Sequence, residues 1–154
     1  EVVYKDFSYA FAKSRYPGVP EIEYHEVDER PFFIDDIEVI PLPVMHYKMP
    51  VLGFRIGNFA YITDANAIPT YSMERLEGVD CLVLNALRKT EHLSHFSLPQ
   101  ALEIIRKLNV KQAFLTHVGH QMGLAAEVSK ELPANVRLAY DTLEIDIPDA
   151  KKEA

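Results

Sequence analysis

A single cysteine among 154 residues rules out a disulfide framework within the chain. Its place in the apolar run Cys81-Leu82-Val83-Leu84 reads as a buried core thiol rather than a ligand or nucleophile. Positive charge is also short: 16 Lys and Arg against 23 Asp and Glu leave a formal net charge of −7. A general nucleic-acid surface needs clustered basic residues to release counterions, so nucleic acid is not an expected partner, although a metal or helix terminus could draw a small anion locally. No apolar stretch approaches the ~20 residues that cross a bilayer, and the first residues lack the charged-then-apolar pattern of a signal peptide. No membrane partner is expected, and the expectation is a soluble, cytoplasmic protein. The chain has neither an internal repeat nor a linker that would divide it. With 48% hydrophobic residues it can bury the core of one domain.

The first twenty residues are aromatic and end in Tyr16-Pro17-Gly18-Val19-Pro20, so they read as an irregular, partly packed loop or a short helix. Residues 21–27 and 37–44 alternate as strands, separated by an Asp35-Asp36 turn. Residues 51–56 and 58–63 flank Gly57-Asn58 and predict a tight hairpin. The pattern then changes. A short helix is expected over 72–76, ended by Gly78, and a buried strand over 80–86. A helix over 97–108 is capped by Ser97, with Leu98, Ala101, Leu102, Ile105 and Leu108 as its core-facing stripe. A strand over 112–116, a helix near 124–132 ended by Pro133 and a last strand over 143–147 complete the chain. Strands alternating with helices imply an α/β layer in which one helix set covers the sheet. The domain is expected over 1–147, with 148–154 as a frayed tail.

Candidate chemistry sits where apolar runs stop. His46, Asp64, His95 and His117 lie at such positions, where a folded sheet would deliver side chains to one edge. Imidazole and carboxylate are ligand types that borderline and hard divalent ions choose, so the layout reads as part of a metal-dependent hydrolase site. Asp64 on its own reads equally as a helix cap or Asx-turn; as a ligand, its two oxygens could bridge two cations. In Leu115-Thr116-His117-Val118-Gly119-His120, Gly119 permits the chain to turn, so that both imidazoles either face one crevice or lie in an exposed strand-to-helix loop. His92 and His95 form another pair, in the loop before Ser97, where one could donate a proton or simply belong to a polar loop. His25 alternates with apolar neighbours and reads as a surface residue.

Taken in order, Pro-Val-Met-His46, Tyr-Ile-Thr-Asp64-Ala, Leu-Asn-Ala-Leu-Arg followed by His92-Leu-Ser-His95-Phe-Ser-Leu, and Leu-Thr-His117-Val-Gly-His120 resemble the later half of the metallo-β-lactamase-fold hydrolases. The resemblance is strongest to the branch with the phosphoribosyl cyclic phosphodiesterases, with the tRNA 3′-processing endonucleases as more distant relatives, and it covers about residues 17–147. It implies an α/β fold, the C-terminal portion of a metallo-β-lactamase-type αββα sandwich. It further implies that His46 binds a first metal, His117 a second, that Asp64 bridges them, and that His95 stands near the scissile phosphate as proton donor or charge stabiliser. His120 and Arg88 match as residues that would help hold the phosphate.

The family's first metal motif, His-x-His-x-Asp-His, does not occur here. The chain therefore resembles a portion lacking most metal ligands, offering two ligands per ion where zinc sites normally use three or four. For the complete enzyme the resemblance implies hydrolysis of a small phosphodiester by water activated between two zinc or manganese ions. A small phosphorylated substrate is then one expected partner; a further copy of the chain or the missing N-terminal portion is another. A non-catalytic fragment or binding module of the same fold stays open, as does a thiolesterase or lactonase.

Overall fold

The computed structural model describes residues 2–12, 17–20 and 22–147. Seven strands form one sheet in chain order: β1 (Phe32–Ile34), β2 (Ile37–His46), β3 (Met49–Ile56), β4 (Phe59–Ile62), β5 (Cys81–Asn85), β6 (Gln112–Thr116) and β7 (Val136–Leu138). The first four pair antiparallel as a meander, and β4 to β7 pair parallel. Each parallel step needs a crossover, supplied by α3 (Thr70–Arg75), α4 (Leu98–Leu108) and α5 (Ala125–Glu131). Two short helices, α1 (Val2–Asp6) and α2 (Ser8–Phe11), precede the sheet. Among the described residues no helix is long and apolar enough to cross a membrane.

Alternation along the strands sorts the core. Leu42, Val44, Ala60, Ile62, Leu82, Leu84, Ala113 and Leu115 share the cluster that also holds Leu76, Leu98, Ala101, Ile105 and Val128 from the helical side. Serial hydrogen bonds fasten α3 to β2: the buried Ser72 hydroxyl donates to Pro43 O at 2.6 Å and Arg75 Nη1 to Pro41 O at 2.9 Å. At the start of α4, Ser97 N and Oγ both donate to Gln100 Oε1, at 2.9 and 3.0 Å, and Asn109 closes the helix at φ 51°.

On the second face, Cys81, Val83 and Phe114 are covered by Phe59, Ala139, Leu143, Ile145 and Ile147. This corrects the expectation of a last strand there. Residues 143–147 are not a strand; their i, i+2 apolar alternation packs on the sheet face, while the place beside β6 is taken by β7. On this face of β5 and β6 the chain therefore supplies its own cover. Tyr61, at 42% exposed, shows that β4 is less well covered.

Residues 22–27 also form no strand, and Glu21 lies outside the described residues. Alternation describes side chains only, and a strand needs a partner for its backbone donors and acceptors. The edge beside β2 is occupied instead by β1, delivered through the expected Asp35-Asp36 turn with Asp35 at φ 54°. The tail expected over 148–154 lies outside the described residues.

Candidate metal centre

Because β2 and β4 are both antiparallel to β3, and β4 to β6 are mutually parallel, β2, β4, β5 and β6 point the same way. Their carboxyl ends form one edge, the usual place for ligands in such sheets. His46 is the last residue of β2, Asp64 lies two residues past β4, His95 is in the loop between β5 and α4, and His117 directly follows β6. The chain leaves this edge through left-handed residues: Tyr47 at φ 58°, Asp64 at 52° and His117 at 55°. Asp and His enter that region more readily than most residues, and its clustering at one edge is backbone strain of the kind found at functional sites.

The three imidazoles and the carboxylate converge. Asp64 Oδ1 lies 3.2 Å from His117 Nε2 and 3.7 Å from His95 Nδ1. The His95 ring stands 4.8 Å from that of His46, 4.7 Å from His117 and 5.1 Å from His92, which stacks on it at 18°. His95 is the centre of the group. Its side chain is 13% exposed, and its Nδ1 is buried without a hydrogen bond, the Asp64 oxygen being too distant for one. Burial, then the neighbouring His117 and His46, push its pKa down against the opposing pull of Asp64. A neutral imidazole with an unpartnered buried nitrogen is suited to receive a cation. Asp64, His95 and His117 each offer one donor atom, all within 4.8 Å of one another, so these residues fit a metal ion.

His46 reaches this group by its ring contact with His95 but is not one of the three donors. His120 sits exposed at the start of a 3-10 turn (His120–Met122) and makes no hydrogen bond or ring contact with the cluster. Arg88 is engaged by its own loop, donating to Thr90 O at 3.3 Å and Glu91 O at 2.6 Å, and by the 3-10 turn, donating to Gln121 Oε1 at 2.9 Å. Gly119 adopts φ −83°, extended backbone open to any residue. What favours glycine is instead close approach, since an added Cβ would lie 3.1 Å from Leu87 O, a tight contact with backbone. His25 is a surface residue, paired with Glu23 at 3.1 Å.

Two asparagines escaped assignment from sequence. Asn66 ties the hairpin to the histidine loop: its Oδ1 accepts from Tyr47 N at 2.7 Å and its Nδ2 donates to Leu93 O at 3.1 Å. Asn85, fully buried at the end of β5, bonds both the N–H and the carbonyl of Ala65. A cavity of about 680 Å³ opens beside the centre, lined by His46, Tyr47, Lys48, Met49 and Leu93 among others.

A family model described as the β-lactamase superfamily domain matches residues 1–118. The chain belongs to this superfamily. A Porphyromonas gingivalis protein named octanoyltransferase is 36% identical over 143 residues, 92% of this chain but 29% of that protein. The crystal structure of a diphosphatase from the PhnP family superposes with a TM-score of 0.82 at 35% identity, over 92% of this chain and 52% of that one. Human tRNase Z, short form, shares the fold at TM-score 0.59 and 20% identity, over 76% of this chain and 44% of that one. The chain thus spans less than a third of that curated relative and about half of the diphosphatase. A mixed α/β fold of the metallo-β-lactamase type, present in part, agrees with the sheet and with these superpositions.

Proposed function

We propose that the protein to which this chain belongs is a metal-dependent hydrolase of a small phosphodiester or diphosphate. The observation that carries this reading is the unpartnered, buried Nδ1 of His95 facing Asp64 and His117 at the carboxyl edge of the sheet. His46, Asp64 and His117 would hold the metal, with further ligands from outside these 154 residues completing two sites. Bound there, zinc or manganese would supply positive charge that polarises a phosphoryl oxygen and acidifies water. His95 would donate a proton to the leaving oxygen as the P–O bond breaks, and an approaching phosphate anion would favour its charged form. The cavity beside His46 would take the organic part of the substrate, with the Lys48 ammonium available to its negative charge. His120 and Arg88 would contact the phosphate only if their loops rearranged.

A second reading is favoured by one observation: His95 is itself among the three mutually close donors, which would make it a ligand. In the full-length protein, His95→Ala should lower phosphodiester turnover by roughly two to four orders of magnitude with metal content nearly unchanged, whereas His117→Ala should lose metal. Equal metal loss in both variants would make His95 a ligand. Metal content also separates a hydrolase from a non-catalytic module, and thioester and lactone substrates tested beside the phosphodiester separate the other hydrolases of this fold. Acyl transfer finds no support in the single thiol, because Cys81 is buried at the opposite end of β5 from the centre and burial pushes its pKa up.

A further inference from the structure

We propose that Asn85 is the positioning residue that sets the spacing between the Asp64 carboxylate and the His95 imidazole. This rests on reading the cluster as a metal centre. Asn85 is fully buried, and both ends of its amide are partnered by the backbone. Its Oδ1 accepts from Ala65 N at 3.0 Å and its Nδ2 donates to Ala65 O at 2.9 Å. The Ala65 N–H belongs to the peptide joining it to Asp64, so the first bond fixes the plane that leaves Asp64 in its left-handed conformation, φ 52°. The Ala65 carbonyl also accepts from Phe96 N at 2.9 Å, and that N–H belongs to the peptide joining Phe96 to His95. One side-chain amide therefore holds the backbone next to one member of the centre and, through a shared carbonyl, the backbone next to another.

The chemistry demands asparagine. Aspartate offers no donor to the Ala65 carbonyl and buries a charge, and leucine leaves the Ala65 N–H without its acceptor. A purely architectural asparagine would cost stability when replaced but would leave the folded centre's affinity for metal unchanged.

The test uses zinc, titrated against a chelator into the full-length protein, with thermal unfolding recorded in parallel. Asn85→Asp and Asn85→Leu should remain folded at the assay temperature yet bind zinc about 10- to 100-fold more weakly, the usual effect of removing a group that orients a ligand. If leucine prevents folding, Asn85→Ser, which is smaller and admits water, carries the comparison. Asp64→Asn and His117→Ala are the reference variants. Unchanged zinc affinity in folded Asn85 variants, with zinc lost from the reference variants, overturns the role of Asn85 alone. Zinc retained by the reference variants overturns the metal-centre reading, and the proposal falls with it.

Discussion

Replacing Gly53 by alanine should destabilise the protein even though alanine is ordinarily the better residue. Gly53 lies in β3 next to Phe54, which pairs with Tyr61 of β4, and an added Cβ would stand 2.8 Å from Ile62 Cγ1 and 2.9 Å from the Tyr61 carbonyl oxygen. Carbon atoms in contact normally sit at about 3.5–4.0 Å, so the shortfall at Ile62 is roughly 0.7 Å or more. Ile62 is fully buried and has no free space to retreat into, and the Tyr61 carbonyl is backbone. Relief would come only by parting β3 from β4 or by forcing Ile62 off its rotamer, at a cost of about 1–3 kcal/mol. Against this stands the ~0.5–1 kcal/mol that alanine gains over glycine within a strand. The middle of those ranges is a net loss of about 1 kcal/mol, which at a urea slope near ~2 kcal/mol/M lowers the unfolding midpoint by roughly 0.5 M. Adding Ile62→Ala should cost less in the Gly53→Ala background than in the natural one, because there it also relieves the clash with the added Cβ. An unchanged or raised midpoint for Gly53→Ala would refute the packing argument.

Asp64→Asn should lose zinc at least ~10-fold while keeping its unfolding temperature, since asparagine tolerates the left-handed backbone; Asp64→Ala should lose zinc and about 1–2 kcal/mol of stability besides. Calorimetry of the two metal-free variants checks the second part. Because burial depresses the His95 pKa, the unfolded state takes up that proton first on acidification. Stability of the metal-free protein should therefore fall below about pH 6.5, the ordinary histidine value, until the lower folded pKa is passed, and His95→Gln should flatten the decline in urea midpoints between pH 7.5 and 5. Prepared alone, the 154-residue chain should self-associate through the less covered face near Tyr61 in sedimentation at several concentrations. A monomer at high concentration with cooperative unfolding would contradict this.

The hairpin at Gly57-Asn58, the Ser97-capped helix and the buried strands β5 and β6 were legible because their patterns are local. Period 2, period 3.6 and the turn and cap residues act within a few positions of one another. The same locality made the ends of apolar runs visible, and with them His46, Asp64 and His117, while His95 stood out as one of a histidine pair in the loop before Ser97. Tertiary structure decided what depends on a partner distant in sequence. Residues 22–27 and 143–147 carry strand-like alternation, yet the edges went to Phe32–Ile34 and Val136–Leu138, because a ladder position is set by which backbone lies alongside. Only the fold brought Asn85 to Ala65, twenty residues away, and left His95 Nδ1 buried without a partner. Side-chain type announces which groups can bind a metal, but which of them face one another, and which asparagine holds them there, follows from strand order and direction, since these alone determine which chain ends share an edge.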